Sequence, residues 1–411
     1  MAADKLLGIS EAQYRVWEFA RPASPVLREL GAAHGLVLGT DIISHEDSPP
    51  YDKVLVDGFA VRSADVRGGS PEREVVELVT AGQVPTREVT AGTAIRVMTG
   101  APVPDGADAI VMAEHVTRLE DRDGRERIRL DDEPVAAGQH ILPRGAVIRR
   151  GTAVFAAGRR LSAVDIGVLA EIGAHQVHVV PRPSVAVLTT GNELISATDR
   201  LGPGQIRNSN GPMLKALLES SAGSVLDLGV GPDELLPLRR CVERGLACDV
   251  LLITGGVSVG VLDLVPQVLA ATGVETIFHK VNLKPGKPLW FGVNRVGARP
   301  GLVFGLPGNP VSTLVCFELF VRPALSRLSG LPNPDPRYER CTLARDHHHR
   351  GGRVTYVPAR RYEEGGSVHV EPLEWKGSAD LLALTGANCL LRLPDSNLHL
   401  PAGTPMEVLV P

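Results

Sequence analysis

The chain is poor in cysteine and aromatic residues and carries no large surplus of either charge. Its 411 residues include five cysteines, Cys241, Cys248, Cys316, Cys341 and Cys389, an odd number with no CxxC spacing. Such a set indicates neither a zinc knuckle nor a disulfide framework, and a reducing cytoplasm is the expected setting. A formal net charge of −4 lacks the basic footprint of a nucleic-acid binder, so any anion site must be local. No apolar run reaches membrane-spanning length, and the N-terminal MAADKLLGISEAQYRVWEF has no signal-peptide hydrophobic region, so no membrane partner is expected. Walker A and H-E-x-x-H motifs are missing, as are repeats of solenoid length.

Glycine and proline are abundant, at 44 and 32 residues, against 44% hydrophobic content. That combination suits many turns around ample core, divided over on the order of two to four domains. The organising stretch is Cys248 to Gly260, CDVLLITGGVSVG. Its β-branched run Val250 to Ile253 reads as a strand buried on both faces, stopped by Gly255-Gly256. Asp263 then offers an N-cap for a helix over Leu264 to Ala271. The same grammar recurs at Ser184 to Gly191, and at Gly301 to Gly308 before the apolar stretch Val311 to Leu325. Repeated strand–loop–helix units predict a mostly parallel sheet whose ligand lies outside the carboxyl ends of the strands.

The fold class is therefore multidomain α/β plus β. Ser10 and Gln13 read as a capping box opening a helix to about Phe19. Ser162 with Asp165 opens a second helix, with Leu161, Val164, Val168, Leu169 and Ile172 on one face and Gly173 closing it. Between them, Val54 to Ala60, Ala94 to Met98, Ala109 to Met112 and Arg127 to Leu130 are short strand-like segments, with Leu119 to Glu126 as a charged hairpin tip. The expected division is a discontinuous helical linker and dimerisation domain over 1–53 and 146–182, an inserted all-β domain over 54–145, an α/β domain over 183–330 and a C-terminal β-barrel-like domain over 337–411. Prolines at Pro181, Pro183 and Leu331 to Pro336 mark two of the joins.

Four patches carry polar groups where the strands of the α/β domain should end. They are Thr189 to Glu193; Gly255, Gly256 and Ser258; Pro307, Gly308 and Asn309; and the basic segment bearing Lys280, Lys284 and Lys287. Glycine turns at helix N-termini bind phosphate through free N–H groups, and lysines add point charges. Carboxylates beside them fit Mg²⁺ ligands, which assigns Glu193 and Asp263 to a metal-bridged phosphate. Any one patch alone is equally well explained as turn chemistry and solvated charge; four on one edge favour a phosphorylated small molecule. Gly256 to Gly260 also fits the G-x-S-x-G elbow, so a serine hydrolase using Ser258 is a rival, although His279 lies in the basic segment and no HGGG precedes. His347-His348-His349 reads as an exposed loop rather than a metal site.

Taken together, the blocks resemble the molybdopterin molybdenumtransferases, the bacterial MoeA proteins and the E domain of gephyrin. The resemblance spans nearly the whole chain. It rests on Asp57 to Arg62, Arg96 to Pro104 with Gly106 to Asp108 and Glu114, Gly204 to Ile206 with Asn210, and the TGGVSVG, KPGKP and GLPGNP blocks. It implies an elongated four-domain subunit and a homodimer with composite active sites. It further implies that adenylylated molybdopterin and molybdate are the substrates, with AMP released in a divalent-cation-dependent step. The family's functional residues fall on Asp57, Thr99, Glu193, Asp233, Asp263, Lys280, Lys284 and Ser378, with Ser378 beside Gly377 for the molybdate oxyanion, contributed by the partner subunit. Some positions depart from the pattern: Ala146-Val147 follow Gly145 where the family carries Glu-Asp, Lys53 to Val56 replace Asn-Ser-Ala-Met, Asn192 replaces aspartate, and Val261 replaces an acid. Lost acids with retained anion contacts predict that binding survives better than metal-dependent cleavage, so the alternative reading is a paralogue that binds without inserting metal.

Overall fold

The structure, a computed structural model, describes residues 6–66, 71–122, 124–131, 134–256, 264–297, 299–332 and 334–411. Its centre is a six-stranded sheet of β1 (Ser184–Thr190), β2 (Ser224–Gly231), β3 (Val250–Thr254), β4 (Val274–His279), β5 (Trp290–Asn294) and β6 (Gly301–Leu306). The order is β2-β1-β3-β6-β5-β4. The first four in that order are parallel, and β5 and β4 add an antiparallel hairpin, so the sheet is mostly parallel as expected.

Every residue of β3 is buried, and alternation sorts its side chains. Val250 and Leu252 join Val185, Val187, Leu302 and Phe304 in one core. Leu251 and Ile253 join Ala186, Leu188 and Val303 in the other. Helices α1 (Asn210–Leu218) and α4 (Pro310–Cys316) cover the first face, and α2 (Leu235–Gly245) and α3 (Leu264–Ala271) the second. Burying one such side chain stabilises the fold by about 1.5–3 kcal/mol, which is why this doubly covered strand shows so plainly in the sequence. The apolar stretch read as 311–325 runs from α4 through a π-helical turn, Phe317–Val321, into α5 (Arg322–Leu328).

The second helix has the predicted reciprocal capping box between Ser162 and Asp165, but Val164 is exposed rather than on the packed face. The first helix, Ile9–Phe19, starts after Gly8, so Ser10 lies inside it and caps nothing. Its buried Ala12 and Val16 sit in the α/β core, and the Gln13 side chain donates to the Leu319 carbonyl at 2.9 Å. Chain order groups this helix with the linker domain; its packing attaches it to the α/β domain. The linker is not simply helical: its two halves meet in a sheet pairing Val26–Glu29 and Val37–Leu38 with Gln176–Val180, and its first helix packs on the α/β core.

The inserted domain is a six-stranded β sheet holding Gly58–Val61, Thr93–Val97, Ala109–Met112 and the hairpin Val116–Arg122/Arg125–Leu130. In the C-terminal domain, Tyr338–Leu343, Val354–Glu364, Ser367–Pro372, Cys389–Leu393 and Pro405–Leu409 close into a barrel. His347–His349 is a strand rather than a loop: it pairs with Leu398–Leu400, stacks His348 on His399 and buries His349. Among the described residues no helix is long and apolar enough to cross a membrane.

Candidate active site

Register decides what meets at the carboxyl edge of the central sheet. Thr189 pairs with Thr254, and Thr254 with Leu306, so the turns after β1, β3 and β6 stand side by side. Contact is close enough to demand glycine. At Gly255, whose φ is +83°, a Cβ would lie 2.3 Å from the Thr190 carbonyl oxygen; Gly308 stands next to it, its Cβ position 3.8 Å from the Gly255 Cα, an ordinary contact. Polar side chains tie the turns to their neighbours: Asn208 Nδ2 donates to Thr189 Oγ1 at 3.0 Å and the buried Asn210 Nδ2 to the Gly308 carbonyl at 2.7 Å. Asn210 Oδ1 is buried with no partner among the described residues, an acceptor left for a ligand or for neighbouring chain.

Charge is graded along this edge. At the β1 and β2 end, the Glu193 carboxylate folds back over Gly191, and Asp233 Oδ2 accepts the Asn192 backbone N–H at 3.2 Å. The Asn192 side chain accepts the Asp233 N–H in return, so asparagine here holds Asp233 without adding a third carboxylate to Glu193 and Asp233. At the far end, Lys280 follows β4 with a φ of +74°, its N–H bonded to the Leu289 carbonyl. Glycine turns lie between the acids and the lysines. At a strand spacing of about 4.8 Å, β1 to β4 spans about 19 Å.

Beyond β6 a cavity of about 710 Å³ opens between the α/β and C-terminal domains. Lys284, Lys287, Arg353 and Ser378 line it together with Pro307, Gly308 and Asn309. Leu283-Lys284 pairs in parallel with Val354-Thr355, and Arg353 Nη1 donates to the Leu283 carbonyl at 2.9 Å. Asn309 Nδ2 donates to Ser378 Oγ at 2.8 Å, and the Val311 N–H to the Ser378 carbonyl at 3.1 Å. Because Ser378 Oγ accepts from Asn309, its own proton is free to donate to an oxyanion.

Several expectations need correction. Ser378, expected from a partner subunit, reaches the cavity from the same chain, because the C-terminal domain docks on α4. Glu193 and Lys280 stand on the shared edge but do not line the cavity with Lys284. The cause is local: after His279 the chain leaves the central sheet, so Lys280 ends one sheet while Lys284 joins another. Asp57 and Thr99 meet each other in the inserted domain, where the Thr99 N–H and hydroxyl both donate to Asp57 Oδ1 at 2.7 Å. Those bonds, with Arg96 nearby, hold the Asp57 carboxyl below its ordinary value. Ser258 and Asp263 lie outside the described residues, as does Val261. Among the described residues no group of three or more His, Cys, Asp or Glu is arranged to hold a metal. Arg353 was missed because only the fold brings it beside Lys284.

Three family models match in chain order: MoeA N-terminal region (domain I and II) over residues 7–173, a probable molybdopterin binding domain over 186–327, and MoeA C-terminal region (domain IV) over 340–410. Together they cover most of the chain. It belongs to the molybdopterin molybdenumtransferase family. The chain is 34% identical to a molybdopterin molybdenumtransferase of Staphylococcus aureus, over 98% of its own length and 95% of the relative's. The Staphylococcus epidermidis protein of that name is 33% identical over the same shares. A crystal structure of the molybdopterin biosynthesis MoeA protein from Pyrococcus horikoshii superposes with a TM-score of 0.79 at 31% identity, covering 99% of this chain and 100% of that one. As a member of this family the chain is an enzyme of molybdenum cofactor biosynthesis. Among the positions that depart from the family pattern, Val147 is exposed, and Gly145 before it lies beside Asp47.

Proposed function

We propose that the protein inserts molybdate into adenylylated molybdopterin and releases AMP. The observation that carries this reading is the graded edge, with acids at one end, glycine turns in the middle, and a basic cavity at the other end holding a hydroxyl with a free proton. In this reading the pyrophosphate lies over the turns at Gly255, Gly256 and Gly308, and molybdate enters the cavity against Lys284, Lys287, Arg353 and Ser378. Glu193 would hold Mg²⁺ together with substrate phosphate oxygens, since Mg²⁺ is commonly held by one or two carboxylates plus phosphates rather than by an all-protein cage. The ion supplies charge neutralisation at the phosphate that leaves. Asp233, fixed by Asn192, orients water on the same side. Lysine and arginine stabilise negative charge that develops as the phosphoanhydride breaks.

Asp57 and Thr99 reach the reaction from a second copy of the chain in a two-fold dimer. The exposed apolar Leu27, Ile43 and Leu55 on the linker and its junction suit such an interface. Free rather than paired cysteines suit a cytoplasmic protein. The test is a single-turnover assay with adenylylated molybdopterin, molybdate and Mg²⁺. AMP release that stops on chelation supports insertion. Tight binding without AMP release, in protein that also fails to restore cofactor synthesis to cells lacking an insertase, would replace it with the binding paralogue suggested by Ala146-Val147.

A further inference from the structure

Among the described residues, Trp375 is the one aromatic that lines the 710 Å³ cavity. Its half-buried side chain packs against both the α/β core and the barrel core, so it is held between two domains. It also borders a second hollow of about 540 Å³ with His347, Lys376 and Asp380, and so forms the wall between the two. None of the ring–ring or cation–ring contacts among the described residues involves it. The same cavity is lined by the apolar rings of Pro285 and Pro288 and by the polar side chains of Lys284, Arg353 and Ser378. An indole bordering the cavity beside cations and a hydroxyl suits a planar heteroaromatic ring bearing an anionic group.

We propose that Trp375 is the platform on which the pterin ring stacks, orienting the dithiolene toward molybdate held at Ser378 and Arg353. This rests on the reading that the cavity takes adenylylated molybdopterin. Within that substrate the choice of ring follows from connectivity. The dithiolene belongs to the pterin ring system and must meet the metal, whereas adenine lies beyond the pyrophosphate, toward the glycine turns.

The experiment uses the full chain with Trp375→Leu, which keeps apolar bulk between the two cores, and Trp375→Phe, which keeps a ring. Dissociation constants are measured for adenylylated molybdopterin and, separately, for AMP. Losing one ring stack should weaken adenylylated molybdopterin binding by about five- to a hundredfold in the leucine variant, with most of the affinity retained by phenylalanine. AMP affinity should stay unchanged in both. In the unsubstituted protein the pterin substrate should quench tryptophan emission and AMP should not, a readout that stands even where the leucine variant fails to fold. Equal affinity of folded Trp375→Leu and wild type for adenylylated molybdopterin overturns the proposal, and so does a parallel loss of AMP affinity. Failure of the wild type itself to bind adenylylated molybdopterin overturns the functional reading instead.

Discussion

Gly255→Ala isolates the claim that the glycine turns form the binding edge. An added Cβ would sit 2.3 Å from the Thr190 carbonyl oxygen and 3.2 Å from Thr190 Oγ1, at a φ of +83°. Restoring an ordinary 3.4 Å contact moves the β3 turn about 1 Å away from the β1 turn. The left-handed backbone costs alanine about 1–2 kcal/mol, and overpacking adds about 1–3 kcal/mol, for roughly 2–5 kcal/mol in all. Gly273→Ala is the control. Its φ is +82° but the added Cβ meets nothing within 4 Å, and it precedes β4 at the opposite edge. It should cost only the backbone share, about 1–2 kcal/mol. Urea unfolding measures both costs, and AMP release from adenylylated molybdopterin measures function. A displacement of about 1 Å at a reacting centre can lower the rate on the order of a hundredfold, so Gly255→Ala should lose that much while Gly273→Ala retains wild-type turnover. Folded Gly255→Ala with an unchanged rate would refute the placement of substrate over these turns.

Removing Arg353 or Lys284 as alanine should weaken molybdate binding by about tenfold or more, since a charge-assisted hydrogen bond contributes about 1.5–3 kcal/mol; calorimetry at two salt concentrations should show the remaining affinity falling as salt rises. Ser162→Ala should cost about 1 kcal/mol in urea unfolding and leave AMP release unaltered. Asp165 is held below its ordinary value of 3.8, first by the Arg159 hydrogen bond and then by Ser162. Its depressed value means that its stabilisation is complete above that ordinary value and fades as pH falls through the lower folded value, so Asp165→Asn should cost stability at pH 6 and progressively less under strong acid. Thr99→Val keeps the backbone N–H that lowers the Asp57 carboxyl most and removes the hydroxyl that adds to it, so the Asp57 titration followed by NMR should move up; an unmoved titration would remove the Thr99 hydroxyl as a partner.

The parts of this architecture that showed in the sequence are those written by local periodicity. Val250 to Ile253 is buried on both faces and reads as a doubly covered strand, and Gly255 answers to a backbone approach that no side chain survives. Ser162 and Asp165 sit three residues apart and complete their capping box without outside help. Contacts that only long-range packing creates stayed hidden. Nothing near Arg353 or Trp375 signals that the barrel will dock beside α4. Likewise, Lys280 and Lys284 look like one basic cluster until the chain changes sheets between them. His347 to His349 passed for a loop because their strand partner, Leu398 to Leu400, is distant in sequence, and the first helix shows its apolar stripe but not which domain receives it.

Crystals soaked with AMP and molybdate, with diffraction collected at the molybdenum absorption edge, test the central claim about where the substrates lie. An anomalous peak is expected in the cavity against Ser378, Lys284 and Arg353, with the AMP phosphate over Gly255 and Gly308. Molybdenum bound elsewhere with this cavity empty, or AMP away from the glycine turns, would contradict it.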